Sequence, residues 1–157
     1  MILISACLSG VSCRYNGKSN TISEIETLKH DLIQVCPEQL GNLPTPRPPA
    51  EIQNGTGKDV IDMKTAIITK QGSDVTKQFL TGAQRVLELA SKHNIAFAIF
   101  QERSPSCGVR YCYDGSFSGK LIRGQGITTA MLSQNGFTVF SDEEFTAALK
   151  LNNLIDY

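Results

Sequence analysis

The chain has 157 residues, 41% of them hydrophobic and 19% charged, with 15 basic against 15 acidic side chains. That is one domain's length with enough apolar content for one core, so a disordered chain is excluded. Balanced charge gives no strong field, which argues against non-specific binding to duplex nucleic acid or to an anionic membrane. Residues 1–8, MILISACL, lack a basic leader and a cleavage site, and no apolar run approaches the ~20 residues of a membrane helix. A cytoplasmic protein is expected.

In chain order, MILISA at 1–6 reads as a buried strand. Ser23-x-x-Glu26 is a capping-box pattern for a short helix with Ile25, Leu28 and Leu32 on one face. LIQVC at 32–36 reads as a second strand, and PTPRPP at 44–49 as an ordered or extended loop. Residues 58–70 alternate weakly, as a hairpin would. The strongest helix runs over 74–93, capped by Ser73 or Asp74. Its face carries Val75, Phe79, Ala83, Val86, Leu87 and Ala90, and Asn94 ends it. IAFAIFQ at 95–101 is a strand apolar on both faces. Gly124-Gln-Gly126 leads into a helix of about ten residues, Gly136 punctuates it, and FTVFS at 137–141 is another strand. Ser141-x-x-Glu144 is a second capping box, opening a terminal helix. Strands alternating with helices imply right-handed crossovers and a parallel sheet. The expected fold is α/β, a single domain over residues 1–157 with a mainly parallel, Rossmann-like sheet and helices on both faces.

There are five cysteines, at 7, 13, 36, 107 and 112. An odd count in a reducing compartment argues against a disulfide framework. Cys7 follows the first strand, Cys36 closes the second, and Cys107 lies just after the strand at 95–101. Ligands of open parallel sheets bind outside the carboxyl ends of the strands, so three thiols delivered there can share a metal site. No C-x-x-C pair is present, which is loose for structural zinc. An iron–sulfur cluster accepts thiolates from separate loops, and three ligands rather than four would leave one iron open as a Lewis acid.

Flanking residues add proton chemistry. Cys36-Pro37-Glu38 sets a carboxylate two residues past a thiol, and Ser104-Pro105-Ser106-Cys107 sets two hydroxyls beside another. A carboxylate with a hydroxyl can shuttle protons. The rival reading of Cys7 as the nucleophile of a small tyrosine phosphatase fails on spacing, since Cys7 to Arg14 is C-x6-R where that loop is C-x5-R. Arg14, Lys18 and Arg47 lie in loops after the first two strands and could hold an anion. The turn at Gly124–Gly126 could aim helix N–H groups at Thr128 and Thr129 toward a phosphate.

Five motifs then stand in order. They are Ser5-Ala-Cys7-Leu-x-Gly10-x-x-Cys13-Arg14-Tyr15, Cys36-Pro37-Glu38-Gln-x-Gly41, Pro46-Arg47-x-Pro49-x-Glu51-Ile52, Ser104-Pro105-Ser106-Cys107-Gly108 and Phe117-x-Gly119-Lys120-Leu. Over residues 1 to about 145 the chain resembles the thiouracil desulfidase family. The resemblance implies a non-redox desulfidase with a 4Fe-4S cluster on Cys7, Cys36 and Cys107, the fourth iron taking the substrate sulfur. Glu38 and Ser104 match the family's proton-transfer positions. Water would replace sulfur on a thiouracil or a thiolated uridine nucleotide, releasing hydrosulfide. Ser9, Asn16 and Asn42 depart from the usual Leu, Asp and Gly, and none of the three is a proposed ligand. Cys13 also belongs to the motif and is the substitute ligand, while Cys112 reads as structural. Arg14, Arg47, Gly126 and Thr128 are the candidates for a substrate phosphate. The alternative is a non-catalytic zinc- or nucleotide-binding module that uses the same cysteines structurally.

Overall fold

The computed structural model describes residues 1–28 and 31–154. Strand β1 (Ile2–Ser5) runs into a 3-10 turn, Ala6–Ser9, and a second such turn covers Ser23–Thr27. Strand β2 (Leu32–Val35) is followed at once by helix α1 (Pro37–Leu40), then β3 (Ala50–Ile52), α2 (Gly57–Ile61), β4 (Ile67–Thr69) and α3 (Thr76–Lys92). Then come β5 (Phe97–Phe100), β6 (Tyr111–Tyr113), β7 (Leu121–Arg123), α4 (Ile127–Gln134), β8 (Val139–Ser141), a 3-10 turn at Asp142–Glu144, and α5 (Phe145–Leu151).

The apolar runs β1, β2, β5 and β8 form a four-stranded sheet in the order β2-β1-β5-β8, with every pairing parallel. Side chains alternate across a strand, so the two faces bury different residues. Ile2, Ile4, Phe97 and Ile99 pack with Leu8, Ile25 and the α5 residues Phe145, Ala148 and Leu149. Leu3, Val35, Ala98 and Phe100 pack with Val86 and Ala90 of α3 and Leu132 of α4. Both faces are covered, as the all-apolar β5 requires, and the expected α/β architecture stands. Among the described residues no helix is long and apolar enough to cross a membrane.

Two antiparallel hairpins flank the sheet, β3 with β4 and β6 with β7. A third apolar cluster, which includes Ile52, Ile67, Phe79 and Cys112, joins them to α3. The expected hairpin at 58–70 is corrected here. Its first part is α2, opened by the Asp59 carboxylate accepting both the N–H (2.9 Å) and the hydroxyl (3.2 Å) of Thr56, and its second part pairs with β3. The capping box expected at Ser23 does not form either. Ser23 Oγ turns to Glu24 Oε2 at 3.0 Å, Leu28 is already extended, and Leu32 belongs to β2. A first helical turn fixes several dihedrals for one hydrogen bond, and this short segment between adjacent strands makes only a 3-10 turn. The box at Ser141 and Glu144 forms as expected, with Ser141 N–H on Glu144 Oε2 and Glu143 N–H on Ser141 Oγ, both at 3.1 Å.

One contact sets the position of the site. Helices α1 and α3 touch through Gly41 and Gly82. A methyl group on Gly82 would overlap the Pro37 carbonyl, and one on Gly41 would overlap the Gln78 carbonyl. Only glycine permits so close an approach. It holds α1, and with it Glu38, against the end of the sheet.

Candidate active site

The chain leaves β1 toward β2 on one side and later returns to β5 on the other, so the connections after β1 and β5 part at the carboxyl edge. Such a switch point is where open α/β sheets bind ligands. A cavity of about 480 Å³ opens there, and Cys7, Cys13, Cys36, Cys107, Glu38 and Ser104 all line it. The three thiols expected to converge do so, from three loops that follow neighbouring strands. Gly10, with φ of 95°, ends the 3-10 turn that carries Cys7, and the chain then doubles back to bring Cys13 to the same cavity. Cys36 is held by Pro37, the first residue of α1.

All five cysteines are free thiols. Cys13 neighbours Cys7 and Cys36, and Cys36 Sγ lies 3.8 Å from the Cys13 carbonyl. Cys36 favours the Cys13 thiolate, but Cys7, burial and nearby negative charge prevail and push the thiol up to about 11. Cys36 is pushed up by its bond to Cys13, by burial and by the Glu38 carboxylate, and Cys107 by burial and by Glu38. Cys7 Sγ lies 3.7 Å from Gln101 Oε1, and Cys36 Sγ lies 3.5 Å from Glu38 Oε2. This donor set is soft and largely buried, and the Glu38 carboxylate stands beside it. A cationic iron–sulfur group fits it, because only compensating positive charge would keep several buried thiols ionised together. Among the described residues no three His, Cys, Asp or Glu side chains gather closely enough for a single metal ion. Cys112 is buried away from the cavity, its Sγ toward the carbonyls of Gly124 (3.5 Å) and Ser104 (3.7 Å), which is the structural position read from the sequence.

Glu38 is buried at 8% exposure. Its Oε1 accepts from Ser106 Oγ at 2.6 Å and from Ser104 Oγ at 3.3 Å. The shorter partner is thus Ser106, although the sequence pointed to Ser104. Sequence reading also missed Glu102. Its carboxylate is fully buried, and its Oε1 accepts the N–H groups of Val109 (2.8 Å), Arg110 (2.9 Å) and Tyr111 (3.1 Å). It is the post around which the loop carrying Ser104 and Cys107 folds. Burial alone would raise this carboxyl, but those N–H groups outweigh burial and hold it below the ordinary carboxylate range. The available signal was a Glu placed directly after the strand at 95–101.

The basic candidates divide. Arg47 lines the cavity, but its guanidinium is also engaged by neighbouring loops. Its guanidinium donates to the Cys13 carbonyl at 3.0 Å and to Thr45 Oγ1 at 3.2 Å, and its N–H meets the Tyr15 carbonyl at 2.8 Å. Arg14 lines the cavity, and Lys70, which the sequence reading did not single out, lines it from the end of β4. Lys18 is exposed and is not part of the cavity wall. Gly126 and Thr128 are corrected. The N–H groups that open α4 meet carbonyls of the cysteine loop, Ile127 on Pro105 and Thr128 on Ser106, both at 2.9 Å. Gly126 is a close-approach residue, since a Cβ there would lie 2.6 Å from the Ser106 carbonyl oxygen. Thr128 is fully buried. This helix end supports the Ser104–Cys107 turn and offers nothing to a phosphate.

Comparison with known proteins agrees with the geometry. A family model described as 2-thiouracil desulfurase matches residues 2–144. A protein of Bacillus subtilis (strain 168) described as uncharacterized protein YbbK is 44% identical over 151 residues, covering 95% of this chain and 100% of that protein. A solved structure described as the 4Fe-4S-dependent thiouracil desulfidase TudS superposes with a TM-score of 0.86 at 38% identity, covering 98% of each chain.

Proposed function

The chain belongs to the 2-thiouracil desulfurase family, and from that premise we propose that it is a desulfidase that replaces the sulfur of a thiolated pyrimidine with oxygen from water. The observation that carries this reading is the convergence of Cys7, Cys36 and Cys107 with Glu38 and Ser104 in one cavity at the carboxyl edge of the sheet. Cys7, Cys36 and Cys107 are the residues that would hold a 4Fe-4S cluster, with Cys13 beside them as the reserve thiol. Such a cluster, with one iron not bound by cysteine, supplies a soft Lewis acid for the sulfur of a thiocarbonyl.

The remaining chemistry belongs to the side chains. Glu38, facing the cavity, takes a proton from water as the water oxygen attacks the ring carbon. Ser104 gives a proton to the departing sulfur. Tyr15 and Phe117 on the cavity wall offer apolar faces to a flat ring, and Arg14 and Lys70 offer positive charge to the phosphate of a nucleotide substrate. The five free thiols suit the reducing cytoplasm, and residues 1–157 act as one unit around this site.

The test is an anaerobic preparation assayed for iron, acid-labile sulfide and zinc, together with hydrosulfide release from thiouracil, thiouridine and thiouridine monophosphate. An iron-loaded protein that releases hydrosulfide from at least one of them is expected. A colourless zinc protein with no turnover would instead establish the structural-module alternative.

A further inference from the structure

Ser106 occupies a place that neither Glu38 nor Ser104 explains. It is fully buried and absent from the cavity wall, whereas Glu38 and Ser104 both line the cavity. Its Oγ lies 2.6 Å from Glu38 Oε1 and 3.0 Å from Ser104 Oγ, while the direct span from Ser104 Oγ to Glu38 Oε1 is 3.3 Å. Cys107 Sγ, at 3.6 Å, is the most distant of its polar neighbours. A hydroxyl has one proton to give and lone pairs to accept with. The short contact assigns the Ser106 proton to Glu38 Oε1, and Ser106 then accepts the proton of Ser104. Ser104 Oγ in turn accepts the N–H groups of Ser106 and Cys107, both at 3.1 Å. Two N–H groups aimed at one oxygen lower the cost of taking its proton away. The three groups form a hydrogen-bonded chain that leaves the cavity at Ser104, passes behind its wall, and returns at Glu38.

We propose that Ser106 is the relay through which Glu38 hands its proton back to Ser104, a positioning residue for the desulfidase reaction. The proposal rests on the roles given above to Glu38 and Ser104. The water oxygen bonds to the ring carbon, and one water proton passes to Glu38. The carbon–sulfur bond breaks, and the sulfur leaves with the electron pair, taking the Ser104 proton as hydrosulfide. The second water proton is released to solvent as the carbonyl forms. Glu38 then gives its proton to Ser106 Oγ as Ser106 passes its own to Ser104. All three side chains return to their starting state, one water proton has reached the sulfur, and no oxidant or reductant is needed.

The test compares Ser106→Ala, Ser106→Thr, Glu38→Gln and Ser104→Ala with the wild type on anaerobic samples. Iron content and melting temperature are read beside kcat, KM and the rate in mixtures of light and heavy water. Ser106→Ala should lower kcat by roughly 10²-fold, the low end of what a positioned proton-transfer group contributes. Its KM should be unchanged, because Ser106 does not line the cavity, and its iron content is measured because Ser106 Oγ also lies 3.6 Å from Cys107 Sγ. Ser106→Thr, which keeps the hydroxyl, should restore most of kcat. The wild-type rate should curve with heavy-water fraction, as for more than one moving proton, and become linear in Ser106→Ala. A loaded Ser106→Ala turning over at the wild-type rate, with Glu38→Gln and Ser104→Ala slow, would overturn the relay. Wild-type rates in Glu38→Gln and Ser104→Ala would instead overturn the underlying reading of those two residues. If Ser106→Ala loses iron or stability, the loaded Ser106→Thr decides: a curved heavy-water dependence supports the relay and a linear one refutes it.

Discussion

Replacing Glu102 tests whether the cysteine loop is built around one buried charge. Its Oε1 accepts three N–H groups at 2.8–3.1 Å. Its Oε2 meets Arg110 Nε at 3.4 Å, and Arg110 reaches on to Glu143 at 2.5 Å. The Arg110 side chain is 37% exposed, so that pair adds little. Glu102→Ala would orphan three donors at roughly 1–3 kcal/mol each, a large part of the whole stability of a domain. Glu102→Gln is the informative change. It keeps an acceptor oxygen and removes the charge that roughly doubles the strength of such bonds. A loss of about 2–3 kcal/mol is expected, which for a chain of this length lowers the melting temperature by about 4–12 °C.

The sign with pH follows from the depressed carboxyl. Its stabilisation is complete above the ordinary carboxylate range and is lost as pH falls through the folded value. The wild type should therefore lose stability faster than Glu102→Gln on the acid side, and the two curves should approach each other. Asp142, which accepts the Glu102 N–H at 2.8 Å and whose carboxyl burial pushes up, acts in the opposite direction, and the part of that shift due to burial is common to both proteins. The assay is thermal unfolding by circular dichroism across the acid range, on samples of equal iron content. Equal melting temperatures near neutrality, or curves that stay parallel into acid, would refute the reasoning.

Three further outcomes are expected. Cys7→Ser, Cys36→Ser and Cys107→Ser should each lose most of the iron after anaerobic reconstitution, whereas Cys112→Ser and Cys13→Ser should keep it; iron bound normally by Cys36→Ser would count against the ligand set. Gly82→Ala places a methyl against the Pro37 carbonyl and should destabilise by about 1–3 kcal/mol, with turnover falling as α1 shifts Glu38; a variant that melts and turns over like the wild type would show that the helices have slack. Arg14→Gln combined with Lys70→Gln should raise KM for thiouridine monophosphate and spare thiouracil, and equal effects on both substrates would show that neither cation holds a phosphate.

The parts of the fold legible in the sequence are those with long or uninterrupted signals. Strand β5 is apolar at every position and β1 at all but Ser5 because both faces are covered, and α3 repeats Phe79, Ala83, Val86 and Ala90 at helical spacing over 17 residues. The converging thiols were legible because each follows a strand of one parallel sheet. The hairpins were not. Strands of three residues, such as β3, β4, β6 and β7, are too short to show alternation, and their partners are fixed by tertiary packing. Helix α2 escaped because Thr56-x-x-Asp59 carries Asp where a capping box has Glu or Gln. At the site, sequence could tie Glu38 to Cys36 through Pro37, but it could not say which of two serines lies nearer the carboxylate. That depends on the turn around Pro105 and on the carbonyl contacts with α4. Gly126 read as a phosphate turn for the same reason: a glycine before a helix looks alike whether the N–H groups meet an anion or a neighbouring loop.

The cavity has two kinds of wall, and they differ in their freedom to change over evolution. The thiols and Glu38 are fastened to the carboxyl edge of the sheet, where a shifted strand register would disturb both cores at once. Tyr113, Phe117 and Lys70 come from the hairpins, and there Glu51 Oε1 on β3 gathers the N–H groups of Gly115 (3.0 Å) and Phe117 (3.1 Å), so the rim moves as a piece. Descendants of such a protein can exchange the 114–119 turn or the end of β4 and admit a different ring or a different tail while the reacting floor stays where the sheet put it. A library confined to these rim residues is therefore the direct route to a new substrate.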